Sequence, residues 1–190
     1  MAERNKNIRE DLLQAGIREI NANGVHSFSI RRVAEACGVS CAAPYKHFKD
    51  KREFIAAIIE YVNGQWRERQ LEVLSSCPDS RREQLVRISV EYVRFLMEKP
   101  FYRSILMLRD EEFDNIYHRV RGEMSSRSQQ LEQDFVTESA VEDAVRRRKR
   151  HVIRALIFGT VFLIDSGELE YSEETLDQLR HAIDREFDLP

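Results

Sequence analysis

Apolar positions recur at helical spacing along nearly the whole chain. Leu12, Gly16 and Ile20 fall on one side of a helical wheel, with Leu13 and Ile17 beside them. Asn23-Gly24 closes this first helix, since glycine takes the left-handed conformation that a helix end favours. Ser29 reads as the N-cap of a short helix to Cys37, whose buried stripe is Ile30, Val33, Ala34 and Cys37. Gly38-Val39-Ser40 is a tight turn. Ser40 is a second N-cap, opening a third short helix that ends near Phe48. A long fourth helix follows over 51–75, and Cys77-Pro78-Asp79 interrupts the pattern. Beyond it, 80–98 forms a helix with Leu85, Ile88, Tyr92, Phe95 and Leu96 on its apolar face. Pro100 introduces a short helix over 101–108. A more polar helix over 110–137 is weakened near Gly122, and another over 141–166 is ended by Gly167. Ser172 caps a last helix to Phe187. The pattern predicts an all-α protein of about nine helices and no strand.

Composition narrows the class. Seven Gly and four Pro are few for a β-rich fold. The 190 residues suffice for one ordinary domain, or a small domain joined to a modest one. We expect 1–52 to be the small N-terminal domain and 53–190 the larger one. Cys37, Cys41 and Cys77 are an odd number, and no secretory pattern opens the chain, so a reduced, cytoplasmic protein is expected. The most apolar run, 152–164, contains Arg154 and is shorter than the roughly 20 residues that cross a bilayer, so no membrane partner is expected.

Charge is distributed unevenly. The net charge is −3, yet residues 1–52 hold ten Lys/Arg against six Asp/Glu, while 53–190 hold twenty against twenty-seven. A basic surface on an acidic chain attracts phosphates through Coulomb steering and counterion release. The segment with the basic excess contains residues 29–48, where two short helices flank a glycine turn as a helix-turn-helix does. Ala34 permits a close helix crossing there, and Val39 fills the space between the helices.

The ordered set of helix 1, Gly24, Ser29-Ile-Arg-Arg-Val-Ala, Gly38-Val-Ser and Tyr45-Lys-His-Phe-Lys-Asp-Lys resembles the TetR/AcrR transcriptional regulators over roughly residues 8–60. The resemblance implies a homodimeric, all-helical repressor that a small molecule releases from operator DNA. It implies a helix-turn-helix domain joined by a long helix to an effector-binding and dimerisation domain. By position, it implies DNA contacts from Ser29, Arg31, Ser40, Cys41, Ala42, Ala43, Tyr45, Lys46, His47 and Lys51, with Phe48 and Phe54 facing inward. Two positions depart from the pattern. Cys41-Ala42-Ala43 offers little bidentate hydrogen bonding to bases, which leaves Arg31, Lys46, contacts with thymine methyls or DNA shape to supply readout. Pro44 removes an early helical hydrogen bond, so a tightened or late first turn is expected.

Other signals are weaker. Cys37 and Cys41 lack further ligands at zinc-like spacing, so no metal is expected. The basic run 146–150 reads as a solvated helix face with intrahelical ion pairs. Aromatic residues concentrate between 92 and 117, and the resemblance places an effector pocket among these helices. Tyr92, Phe95, Phe101, Tyr102, Phe113, Tyr117 and Phe158 are its candidate walls, suited to an apolar or amphipathic small molecule. The 152–164 run is apolar nearly all round, which predicts cover on two sides. A second copy of the chain is the economical outer cover, with Ile157, Phe158, Val161, Phe162, Leu176, Leu179 and Ile183 as candidate interface residues and Gly159 allowing close approach. No glycine-rich phosphate loop, nucleophile elbow or paired-histidine zinc motif is present, so neither an enzyme nor a cofactor is expected. The alternative is a helical ligand-binding or enzymatic protein carrying an incidental helix-turn-helix, and binding to DNA discriminates the two.

Overall fold

The first helix ends where its sequence stops supporting it. Asn23 is the last residue of α1 (Ala2–Asn23), Gly24 turns to φ +76°, and its N–H closes on the Ile20 carbonyl at 2.8 Å. The structure, a computed structural model, describes residues 2–77, 80–100, 102–103 and 142–189. The other α-helices are α2 (Ile30–Ala36), α3 (Lys51–Ser75), α4 (Arg81–Glu98), α5 (Asp143–Asp165) and α6 (Glu173–Glu186). These six among the described residues compare with about nine expected. One expected helix, over 40–48, is reduced to a 3-10 turn at Pro44–Lys46. Two others, over 101–108 and 110–137, lie outside the described residues except at 102 and 103.

The chain forms two units, Met1–Gln65 with Pro100–Gly122, and Trp66–Lys99 with Glu123–Pro190. In the first, α1 supplies Leu12, Leu13, Ala15 and Ile20 to the core. The helix-turn-helix adds Val33, Ala34 and Phe48, and the start of α3 adds Phe54, Ile55, Ile58, Ile59 and Val62. Gly16 sits at a close approach: a Cβ there would lie 2.6 Å from Ile58 Cδ1, so that side chain would have to move. Phe48 stacks on Phe54 with ring centroids 3.9 Å apart, and Phe28 meets Phe54 edge-on at 5.3 Å. Phe48 and Phe54 therefore face inward as expected.

In the second unit α4, α5 and α6 pack pairwise. Ser80 and Ser172 cap α4 and α6 through bonds from Glu83 N and Thr175 N, at 3.4 and 3.2 Å. Leu85, Ile88, Val93, Phe95 and Leu96 of α4 meet Ile157 and Val161 of α5 and Leu176, Leu179 and Ile183 of α6 in one buried layer. Arg82 pins the C-terminal end of α6. Its Nε donates to Asp184 Oδ1 at 2.6 Å, its Nη2 to the Asp184 carbonyl at 2.8 Å, and both terminal nitrogens reach the Asp188 carboxylate. Lys149 pins it from α5 and corrects the reading of the basic run. It is buried, and its ammonium donates to the carbonyls of Glu186 at 2.7 Å, Phe187 at 3.3 Å and Leu189. Arg146 does pair within its helix with Asp143, but Arg148 reaches across to Glu186 at 2.9 Å. The run thus closes helix C-terminal carbonyls that would otherwise lack partners.

Truncating the ring shared by the two aromatic contacts tests the first core. Phe54→Ala should lower unfolding stability by about 3–5 kcal/mol, the usual cost of deleting a fully buried Phe, and urea titration followed by far-UV dichroism measures it.

Candidate nucleic-acid interface

The helix-turn-helix is built by three local devices. Ser29 caps α2, its Oγ accepting from Arg32 N at 3.4 Å. Gly38 makes the turn at φ +65°, and the Val39 N–H returns to the Ala34 carbonyl at 3.0 Å. Pro44 then shapes the second element. It has no N–H to give the Ser40 carbonyl, so a regular α-helix cannot start at residue 40. The chain tightens instead: Ala43 N bonds Ser40 O at 2.9 Å, Lys46 N bonds Ala43 O at 3.1 Å, and His47 N bonds Pro44 O at 2.9 Å. The late, tightened turn expected from Pro44 is present. The Ser40 cap is not, because the short helix begins at Pro44 behind Ala43, with no side-chain cap bond.

A carboxylate behind this unit ties down one of its two exposed arginines. Glu19 of α1 accepts from Ser29 N at 3.3 Å and from Arg32 Nε at 2.8 Å, while Arg32 Nη2 also donates to the Ser27 carbonyl at 2.5 Å. The Arg32 hydrogen bond holds the Glu19 carboxyl below the usual carboxylate range, with partial desolvation opposing it. Arg32 is thereby committed to the fold. Arg31, 78% exposed, reaches only Glu35, at 3.0 Å along its own helix. Nothing in the run Ile-Arg-Arg-Val singles out Glu19 as the anchor, because its partner is thirteen residues away.

The other expected contact residues divide by exposure. Cys41, Ala42, Tyr45 and Lys46 are exposed, Tyr45 at 57%. Ser29, Ala43 and His47 are half-buried, and Ser40 is exposed. Lys51 is half-buried and donates to the His26 carbonyl at 2.8 Å, which leaves two ammonium protons for another acceptor. Arg9 stands over the Phe48 ring at 5.5 Å. Cys37 is half-buried rather than fully buried, its thiol reaching the Asp11 carbonyl at 3.5 Å, and burial raises its pKa. The face therefore exposes a cation, a phenol and small apolar groups around one turn.

In the second unit Tyr92, Phe95 and Phe158 are linked in a chain of ring contacts through Trp66, a residue not among the expected pocket walls. Trp66 meets Tyr92 at 4.9 Å and Phe95 at 5.2 Å, and Tyr92 meets Phe158 edge-on at 6.3 Å. Burial pushes the Tyr92 phenol above its ordinary pKa, with Arg154 acting against it. Trp66 was legible as an aromatic residue on a long helix, but it lies far from the 92–117 cluster in sequence. Tyr102 is buried in the first unit, its hydroxyl donating to Asn63 Oδ1. Phe101, Phe113 and Tyr117 lie outside the described residues.

Five of the seven expected interface residues are taken by the chain itself. Ile157, Val161, Leu176, Leu179 and Ile183 are buried in its own core, and Phe158 is half-buried against Tyr92. Only Phe162, at 59%, stands clearly free, with Leu163 and Ala155 exposed near it. The stripe at 157 and 161 turns inward because α5 must cover α4 and α6, which leaves the opposite stripe outward.

Among the described residues no helix is long and apolar enough to cross a membrane. A capped helix, a glycine turn and a tight second element on a basic unit define a helix-turn-helix protein. Residues 12–58 match the model of the bacterial regulatory proteins, tetR family. The transcriptional regulator AcrR of Shigella flexneri is 27% identical over 149 residues, which are 77% of this chain and 65% of that relative, so the chain spans under two thirds of its length. A TetR family transcription regulator from Marinobacter aquaeolei shares the fold at TM-score 0.73 and 21% identity, over 98% of each chain. The Bacillus subtilis regulator FadR, solved with stearoyl-CoA, does so at TM-score 0.75 and 17% identity, over 93% of this chain and 95% of that one. Over residues 12–58 the chain is thus similar to the tetR family of bacterial regulatory proteins, and the solved TetR-family structures share its all-helical fold.

Glu19 offers a pH test of the arginine clamp. Its carboxyl is depressed in the folded state, so its contribution to stability is present above the unfolded carboxylate pKa and is lost as pH falls through the folded value. Glu19→Gln should melt lower than the parent at pH 7, and the gap between the two melting temperatures should shrink by pH 3.

Proposed function

We propose that this protein is a ligand-responsive transcriptional regulator, a homodimeric repressor that a small apolar or amphipathic effector releases from operator DNA. Residues 1–52 act as the DNA-binding domain, and 53–190 as the effector-binding and dimerisation domain. The observation that carries the reading is the contrast between Arg32, tied to Glu19, and a more exposed Arg31, on a basic unit that also exposes Tyr45 and Lys46. In a helix-turn-helix the second element enters the major groove, while flanking side chains bond phosphates. Arg31, Tyr45, His47 and Lys51 supply those bonds, and Ser29 and Ser40 face the backbone near them.

Two DNA heads are needed for a symmetric operator, with half-sites about 34–36 Å apart. Phe162 and its exposed neighbours support a dimer through the outer stripe of α5. Gly159 supports it too. A mid-helix glycine costs about 1 kcal/mol relative to alanine, yet a Cβ there would meet no atom of the described residues within 4 Å. A close partner helix gives the position a purpose. The effector binds at the Trp66, Tyr92, Phe95 and Phe158 cluster and acts by favouring a head spacing that mismatches successive major grooves, since a ligand shifts only what it distinguishes.

Fluorescence anisotropy with the DNA upstream of the protein's own gene tests the central claim. Affinity should fall with salt, each phosphate contact adding about −0.9 to the log–log slope. Tyr45→Phe and Lys51→Ala should weaken binding on all sequences alike. Unchanged affinity in both variants refutes the assigned contacts. Glu35→Gln, which frees Arg31 from its partner, should instead tighten binding at low salt.

Phe162→Glu tests the dimer separately. Sedimentation should find the parent dimeric at micromolar concentration and the variant monomeric with its helical dichroism retained. A monomeric parent overturns the two-headed mechanism.

A further inference from the structure

The segment that enters the groove is unusual in what it can offer a base. Between the Gly38 turn and the buried Pro44 ring, the exposed side chains are Ser40, Cys41 and Ala42, with Ala43 half-buried. Alanine has no donor or acceptor in its side chain, and a thiol is a weak one. Pro44 also confines the helical part to Pro44–Lys46, so no longer recognition helix brings further side chains into the groove. The strong donors stand at the margins: Arg31 on α2, already bonded to Glu35, and Tyr45 and Lys46 beyond the proline. The centre is small and apolar, and the charged groups that hold DNA surround it.

A major groove presents one apolar feature to such a surface, the C5-methyl group of thymine. Small side chains favour that contact, because they let the backbone approach the base edges closely. We propose that Cys41 and Ala42 determine operator specificity by packing against C5-methyl groups in the major groove, so that the protein reads thymine by its methyl. A 5-methylcytosine carries the same group at the same edge and is read alike. The inference rests on the DNA-binding reading above and deepens it from phosphate attachment to base choice.

The test alters the DNA and leaves the protein intact. A random duplex pool made with thymidine is selected on the full-length protein. The enriched duplex is then resynthesised with deoxyuridine, which lacks only the methyl, at each thymine in turn. At thymines facing Cys41 and Ala42, affinity should drop about fourfold per methyl, the value of one buried carbon, with the salt slope unchanged. Replacing such a T·A pair by C·G should weaken binding, and 5-methylcytosine should recover part of the loss. Ala42→Gly and Cys41→Ser should each shrink the difference between thymine and uracil. If either variant unfolds, the comparison on the unaltered protein still decides. Equal affinity for thymine and uracil at every position overturns this inference alone and assigns base choice to the marginal donors or to DNA shape. No salt-dependent binding to either duplex overturns the DNA-binding reading and this inference with it.

Discussion

The stacked pair Phe48–Phe54 bears the main mechanical duty in the first unit. Pro44 has stripped the recognition segment of the hydrogen bond that would make it a self-supporting helix, and a three-residue 3-10 turn has little cohesion of its own. Its position is set from outside. Phe48, at the end of the segment, lies flat on Phe54 of α3 at 3.9 Å, Phe28 closes the cluster from the preceding loop, and Arg9 covers the Phe48 ring. Aromatic packing replaces backbone regularity as the source of order. Every exposed group between Ser40 and His47 is aimed by that arrangement.

A comparable anchor operates at the other end of the motif. Arg31 and Arg32 are adjacent and identical in sequence, yet Arg32 ties α2 back to α1 while Arg31 pairs only along its own helix. The difference comes from Glu19, which also receives the N–H of the cap residue Ser29. The neighbouring serine and arginine are thus registered against α1 by one carboxylate. In the second unit Arg82 and Lys149 perform the equivalent task at the end of α6, where helix carbonyls need donors.

Elements governed by local rules were legible in the sequence. Caps at Ser29 and Ser172, and stops at Gly24 and Gly167, depend on neighbours within four or five residues and lie where the pattern put them. Pro44 was legible for the same reason, and its disturbance of the expected Ser40 cap follows from covalent geometry. Long-range pairings were not legible. Lys149 sits in a basic run whose composition suggests a solvated face, but its partners are carbonyls some forty residues away. The α5 run is apolar nearly all round, and the chain itself buries one stripe of it, at Ile157 and Val161. It did not show which stripe the chain takes for itself, so Ile157 and Val161 were read as outward when they are inward. Trp66 was missed as the centre of the aromatic cluster because spacing reports on one helix at a time.

The proline-tightened turn also bears on how such a protein changes over time. In a regular recognition helix each base-reading position is also a helix position, so a substitution that alters readout carries a helix-propensity penalty with it. Residues 41–43 here precede the short helix and contribute nothing to the aromatic cluster that holds it. Of the three, Cys41 and Ala42 expose their side chains to solvent, where substitutions usually cost little stability. On the proposed DNA-binding reading, target preference is thereby uncoupled from stability: a new binding site can be acquired by drift at the exposed positions 41 and 42 without rebuilding the domain that carries them.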